Sequence, residues 1–369
     1  MDKANRTRIL TIILTAVMFV AAAPFNAEIS YGAEAAEQTG TVAEAQTETA
    51  AQADTSEQTE TATEAQTETA AQAETVTETG TTETATQTET ATKKKTTLRK
   101  LNTNLAPKKL NVNLRKKLGE GLDGYSVVQG SCTDGKYAYY LLVSTKNQKG
   151  RIVKVKVSNH KVVKRSKALN VHHGNGMAYD SKRKQLVVVG REKYKHRLTV
   201  INAGTLKVKK QVYVKFPSGA EGYTKKNASL GYAAIAYNKK LDKYVATLRK
   251  TRDFVLISPD KFRVTKVIKS SKFIDKLLQA MDADEEYIYV VYSSKTSKAN
   301  NTIAVYDWTG KYIKSIKTKV PYEGESIYHI QKGKKEIFYM ATYRSKYKYK
   351  RNRCITLRRD NYVYKLGAI

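Results

Sequence analysis

Tryptophan and cysteine are scarce in this chain: Trp308 is its one tryptophan, and Cys132 and Cys354 are its two cysteines. Two cysteines cannot build the disulfide framework of a small secreted scaffold. A bridge between them would join the first repeated unit to the last. The expected strands set Cys132 inward and Cys354 further out, so separate buried thiols are the favoured alternative. Neither Cys-x-x-Cys nor His-Glu-x-x-His occurs, and no other cluster has metal-ligand spacing. No cofactor is expected, with a calcium ion as the one open alternative. Long apolar runs are missing too. The longest, Ile9 to Val20, is too short to cross a bilayer.

That run follows Lys3, Arg6 and Arg8 and precedes Ala33-Glu34-Ala35, which reads as a signal peptide over 1–35 cleaved after Ala35. Residues 36–92 have no aromatic side chain, and from Glu34 to Thr92 there is no basic one. They are almost wholly Thr, Glu, Ala and Gln in near-copies such as Ala43 to Ala53 and Thr63 to Ala73. Such a segment cannot bury enough apolar surface to offset the entropy of ordering, so a disordered low-complexity linker is expected. The charge reverses at Lys93. Residues 93–369 hold 63 basic side chains against 19 acidic ones. A surplus of that size attracts polyanions and makes their binding salt dependent.

A basic lead-in over 93–120, with a strand expected near Leu110 to Leu114, precedes a repeat over 121–369. Five times a short phrase comes ahead of a turn and an apolar strand: a leading residue that is polar in all but the third copy, then a small residue, then one that is hydrophobic in all but the first. The copies are Gln129-Gly130-Ser131, Asn175-Gly176-Met177, Ala233-Ala234-Ile235, Gln279-Ala280-Met281 and Glu325-Ser326-Ile327. The turns at Asp134, Asp180, Asn238, Asp284 and Lys332 are 46, 58, 46 and 48 residues apart. One unit therefore carries an insert, near Ser218 to Ser229. The fourth unit divides into four strands at Leu278–Asp282, Tyr287–Tyr292, Thr302–Tyr306 and Tyr312–Ile316. Repeats of this length made of strands alone predict an all-β fold, a five-bladed β-propeller, with six blades as the alternative count. Val153, Val155 and Val157 alternate with Lys154 and Lys156, as Val264 and Val267 do with nearby lysines, and both segments read as outermost strands.

Over about 122–369 the repeat resembles bacterial extracellular propellers of the YVTN, NHL and quinoprotein-like kind. The recurrent Trp-Asp of WD repeats, a strict Tyr-Val-Thr-Asn and any cofactor signature are missing. The resemblance implies a scaffold that hosts both binding proteins and enzymes. Five-bladed propellers include glycosidases. Glu325, with Asn175 and Asp282, is similar to the metal ligands of gluconolactonase-like propellers, where a divalent ion activates water.

The leading residue of each copy should line the axial channel, so Gln129, Asn175, Gln279 and Glu325 are candidate ligand-binding residues, joined by His172 and His173. The alternative is that these groups satisfy inner-strand backbone and ordered water. Glu221, Asp282, Glu323 and Glu325 are the carboxylates available for acid–base work. A second candidate is the tract from Tyr343 to Arg353. Lys346, Lys348, Lys350, Arg351 and Arg353 suit phosphate, sulfate or carboxylate, and Tyr343, Tyr347 and Tyr349 suit stacking. The tract is expected as a loop between two strands. Lys182, Arg183 and Lys184, with Arg191 to Arg197, form another basic cluster. No nucleic-acid motif is present. The expected protein is an exported binding module for an anionic cell-wall polymer or glycan, secreted or held on the envelope without covalent attachment and without a membrane span once the signal is cleaved. A hydrolase or lyase at the channel mouth, and a scaffold for another envelope protein, are the alternatives.

Overall fold

The computed structural model describes residues 98–115, 124–190, 195–293, 301–333, 335–350 and 353–369, and the expected signal peptide and linker lie outside them. Twenty strands form five antiparallel four-stranded sheets. The first blade is β2 (Tyr125–Thr133), β3 (Tyr137–Ser144), β4 (Gly150–Lys156) and β5 (Val162–Arg165). The second is β6 (Met177–Asp180), β7 (Gln185–Val189), β8 (Arg197–Asn202) and β9 (Val208–Tyr213). The third is β10 (Tyr232–Asn238), β11 (Lys243–Leu248), β12 (Phe254–Ser258) and β13 (Arg263–Ile268). In the fourth, β14 (Leu277–Ala283), β15 (Tyr287–Ser293), β16 (Thr302–Asp307) and β17 (Tyr312–Lys317) match the expected strands to within a residue. The inner strands touch in the closed order β2, β6, β10, β14, β18 and back to β2. The fold is a five-bladed β-propeller.

The fifth blade breaks the chain order. Its inner strands are β18 (Glu323–Lys332), β19 (Lys335–Lys350) and β20 (Arg353–Ala368), and its outermost strand is β1 (Lys108–Leu110) from the lead-in. β1 pairs antiparallel with β20, Lys109 opposite Tyr364, so strands from both ends of the propeller complete one sheet. The expected strand at 110–114 falls slightly earlier. Val112 and Leu114 instead bury between blades 5 and 1, and Leu101 and Leu105 between blades 4 and 5.

No single core exists: five apolar layers lie between neighbouring blades. Tyrosine supplies most of the largest buried side chains, among them Tyr139, Tyr140, Tyr244, Tyr287, Tyr289 and Tyr306. A buried phenol needs a hydrogen-bond partner, and in three blades the repeat supplies one in the Asp that ends or follows the inner strand. Tyr139 donates to Asp134 (2.7 Å), Tyr244 to Asp180 (2.7 Å) and Tyr289 to Asp284 (2.6 Å). The other oxygen of Asp134 and of Asp284 caps the turn's own backbone N–H groups.

The segment Val153 to Val157 is not outermost. Gly150–Lys156 is the third strand, and Lys154 points at the next blade, over the Tyr137 ring at 4.1 Å, donating to the carbonyl of Ala203. A lysine there reads as solvent-facing in sequence, yet its stem covers aromatic surface while its ammonium caps a turn. The insert at 218–229 packs on the outside of its blade. Lys215 and Glu221 bridge in parallel to Arg263 and Lys266 of β13, and α1 (Lys225–Ala228) follows. The insert extends the outer edge of blade 3, away from the axis.

Candidate functional site at the channel mouth

In four inner strands the leading residue of the repeated phrase sits in a β-bulge. The register skips Gln129, Ala233, Gln279 and Glu325 in turn. In blade 2 the backbone N–H of Asn175 donates to Val189 while the carbonyl of Gly176 accepts from it, so two residues again face one. A bulge re-aims a side chain and bends its strand. Small residues are required next in the phrase because the next inner strand is in contact there. A Cβ on Gly130 would lie 3.0 Å from the Met177 nitrogen, and one on Gly176 3.3 Å from Ala234. Ser326 meets Ser131 in the same way, Oγ to Oγ at 2.8 Å.

The polar side chains from these bulges join neighbouring blades. Gln129 donates to Glu325 (3.3 Å), Gln279 to Glu323 (2.6 Å) and Asn175 to the carbonyl of Ala233 (2.7 Å). Two glutamates of β18 are thus flanked by glutamine amides from blades 1 and 4. Burial pushes the Glu323 carboxyl up, and the Gln279 hydrogen bond offsets part of that. His172 and His173 lie in the loop entering blade 2, on the face where inner strands begin. Both have positive φ (46° and 70°), followed by Gly174 at 47°, a left-handed turn that two non-glycine residues adopt at a cost. The backbone N–H of His173 ties this turn to Gln148 of blade 1.

Two candidate carboxylates are elsewhere. Glu221 is on the outside of blade 3, where it pairs with Lys266 at 2.7 Å and is largely exposed, so it cannot partner Glu325. Its position follows from backbone pairing of the insert with β13. Asp282 lies three residues further along β14 than Gln279, toward the opposite face, and accepts from Nδ1 of His329 at 2.7 Å. Burial alone would lower the His329 pKa, but Asp282, with Glu336 and Asp284 behind it, raises it to about 9. Arg99 from the lead-in reaches Asp284 and Glu336, each at 2.9 Å. Glu336 is pushed up to about 7 by burial and by its hydrogen bond to Asp284, against the opposing pull of Arg99. This cluster escaped sequence reading because Arg99 and Asp284 are 185 residues apart and Arg99 lies in the lead-in, outside the repeat. Cys132 is a free, buried thiol on β2, and burial pushes it up. Cys354 is on β20 opposite Tyr349.

The basic tract is not a loop. Tyr343 to Lys350 continues β19 past the start of β18, because Glu323 pairs with Tyr343 and no residue of β18 lies beyond it. The strand then pairs only with β20, Lys346 opposite Arg358 and Lys350 opposite Arg353. Seven residues at ~3.4 Å each make a two-stranded ribbon that rises ~24 Å beyond the face holding Glu323 and the His172 loop. Tyr343 is buried at its root and Lys346 is exposed. Tyr347, Lys348, Tyr349, Lys350 and Arg353 lie on the ribbon strands, and Arg351 lies outside the described residues. Arg344 anchors the root, donating to the Tyr322 hydroxyl (2.9 Å) over its ring. The other basic cluster splits. Arg183 is at the opposite face, held by Asp180, Asp242 and Asp260, while Arg191 and Lys193 lie outside the described residues. Among the described residues no group of three or more His, Cys, Asp or Glu is arranged to hold a metal ion, and no helix is long and apolar enough to cross a membrane.

The sequence matches no described protein family and no curated protein. The fold is similar to that of the tail fiber of Staphylococcus aureus phage P68, with a TM-score of 0.45 and 15% identity over 71% of this chain and 53% of that one. This chain thus spans about half the length of the fiber. Glutaminyl cyclase of Myxococcus xanthus is similar at a TM-score of 0.43 and 13% identity, over 67% of this chain and 93% of that one. An exo-β-1,3-galactanase of Clostridium thermocellum is similar at 0.45 and 10% identity, over 64% and 58%. These likenesses concern the fold alone.

Proposed function

We propose that this protein is an exported binding module whose propeller holds an anionic envelope polymer or extracellular glycan, with the β19–β20 ribbon as its principal contact. The observation that carries this reading is the ribbon itself. It is the one blade hairpin among those described with 16-residue strands, and its extended half holds the densest run of lysine, arginine and tyrosine in the chain. Arginine and lysine neutralise phosphate, sulfate or carboxylate, and tyrosine rings stack on sugars. The full chain should be retained on immobilised teichoic acid or heparin at physiological salt. Neutralising Lys346, Lys348, Lys350 and Arg351 together should release it at about half the salt concentration, in line with lost ionic contacts. Unchanged retention would reject the ribbon as the binding element.

A second reading rests on Glu323 and Glu325. Each accepts a hydrogen bond from a glutamine amide of a neighbouring blade, and burial pushes the Glu323 carboxyl up, the direction a general acid needs. A hydrolase built on them would turn over glycans or lactones and lose about 100-fold or more on Glu323→Gln. Turnover that survives both Glu323→Gln and Glu325→Gln would dismiss it.

A further inference from the structure

The outer edge of blade 5 holds a groove of about 530 Å³ that no candidate site above includes. It exists because β1 and β20 differ so much in length. β1 covers β20 for three residues, and after Leu110 the chain leaves the sheet. Alternation then sorts the next residues: Val112 and Leu114 enter the core, while Asn111, Asn113 and Arg115 belong to the groove wall. The facing wall is residues 358–362 of β20.

The groove gathers four cations, Lys109, Arg115, Arg358 and Arg359, around one carboxylate, Asp360. Asp360 is engaged at 2.7 Å by Nε of Arg358 and at 3.2 Å by the Tyr362 hydroxyl. Arg358 nevertheless keeps 62% of its side chain exposed. Lys109 lies 4.0 Å over the Tyr362 ring, which fixes its ammonium at the groove's edge. Arg359 is buried and donates to Thr145 at 2.8 Å, so one cation is built into the floor. Arg115 donates to the carbonyl of Arg359 at 3.3 Å, holding the two walls together. A volume of this size matches sites for ligands of a few linked rings, and guanidinium groups suit tetrahedral oxyanions. Arg358 also pairs across the ribbon with Lys346, so the groove continues into the ribbon's base.

We propose that this groove is a subsite for a phosphodiester or sulfate ester of the polymer, seating it where it leaves the ribbon. This inference rests on the anionic-polymer reading above, and two measurements separate their fates. Titration of the full chain with inorganic phosphate and with sulfate, followed by backbone amide NMR, should shift residues 111–115 and 358–362 most. No shift there overturns the groove whatever the polymers do. The double variant Lys109→Ala/Arg358→Ala should bind polyglycerol phosphate and heparin about tenfold more weakly, with a salt slope smaller by about two. Lys239→Ala/Lys261→Ala removes the same charge from exposed positions on blade 3 and serves as the control. A loss equal to the control's overturns the groove and leaves the binding module standing. Ion-induced shifts in the groove without retention of either polymer support the anion site and reject the module. Loss confined to polyglycerol phosphate assigns the site to phosphodiesters, and loss confined to heparin assigns it to sulfate esters.

Discussion

Single side chains in this propeller act mostly as links between blades, and His329 is the clearest case. Its ring pairs with Asp282 from the neighbouring blade, and its pKa is raised to about 9. A histidine with a folded pKa above its unfolded value of about 6.5 contributes stability in full below that value and loses it as pH rises through the folded pKa. The pair should therefore stabilise the fold below about pH 6.5, progressively less toward pH 9, and very little above it. Its contribution is at most ~3 kcal/mol. Asp282→Asn should bring the His329 titration, read by NMR, down to or below the ordinary range, and its cost in denaturant melts should shrink above pH 9. A variant cost that grows with pH would contradict this account. Sequence reading selected Asp282 as a candidate acid, but its partner, and hence its structural role, depended on how β14 and β18 align.

Each inner strand carries a bulge at the same point of its repeat, and the repeated phrase is the sequence record of that shape. The polar residue faces across to the neighbouring blade, the small residue admits the next strand, and the hydrophobic one returns to the interblade layer. Gly130→Ala tests the middle requirement, since the new Cβ would meet backbone atoms of Met177 and Gly176 at 3.0 to 3.2 Å. Backbone cannot rotate aside as a side-chain tip does, so a loss of ~1–3 kcal/mol is expected in thermal or denaturant melts. Gly219→Ala, where a Cβ would have nothing within 4 Å, should be nearly neutral. Equal melting of the two variants would show that the inner strands have slack. The strand boundaries were legible because period-two alternation and Asp or Asn turns mark them directly. The bulges were not, because a bulge is defined by two strands together.

At the scale of the whole molecule, the excess of positive charge divides into parts with different work. Lys154 and Lys164 cap carbonyls of the neighbouring blade's turn at Ala203 and Gly204, and Arg183 is held among three carboxylates. The ribbon and the groove at its base gather the cations on which the binding proposals rest. Ring closure has the same character. Asn361 of β20 accepts from the Val128 N–H and donates to the Ser126 carbonyl, fastening the last blade to the first beside the Gln129 bulge.

The all-β fold, the five blades and the turn positions were legible along the chain, because they follow from local periodicity and turn chemistry repeated five times. That Glu221 is outside, that Asp282 pairs with His329, that β1 completes the fifth blade and that the basic tract is a ribbon came from the folded arrangement alone. Each of those depends on contacts between residues far apart in the chain or on the pairing of one strand edge with another, and side-chain pattern along a single strand carries no record of its partner.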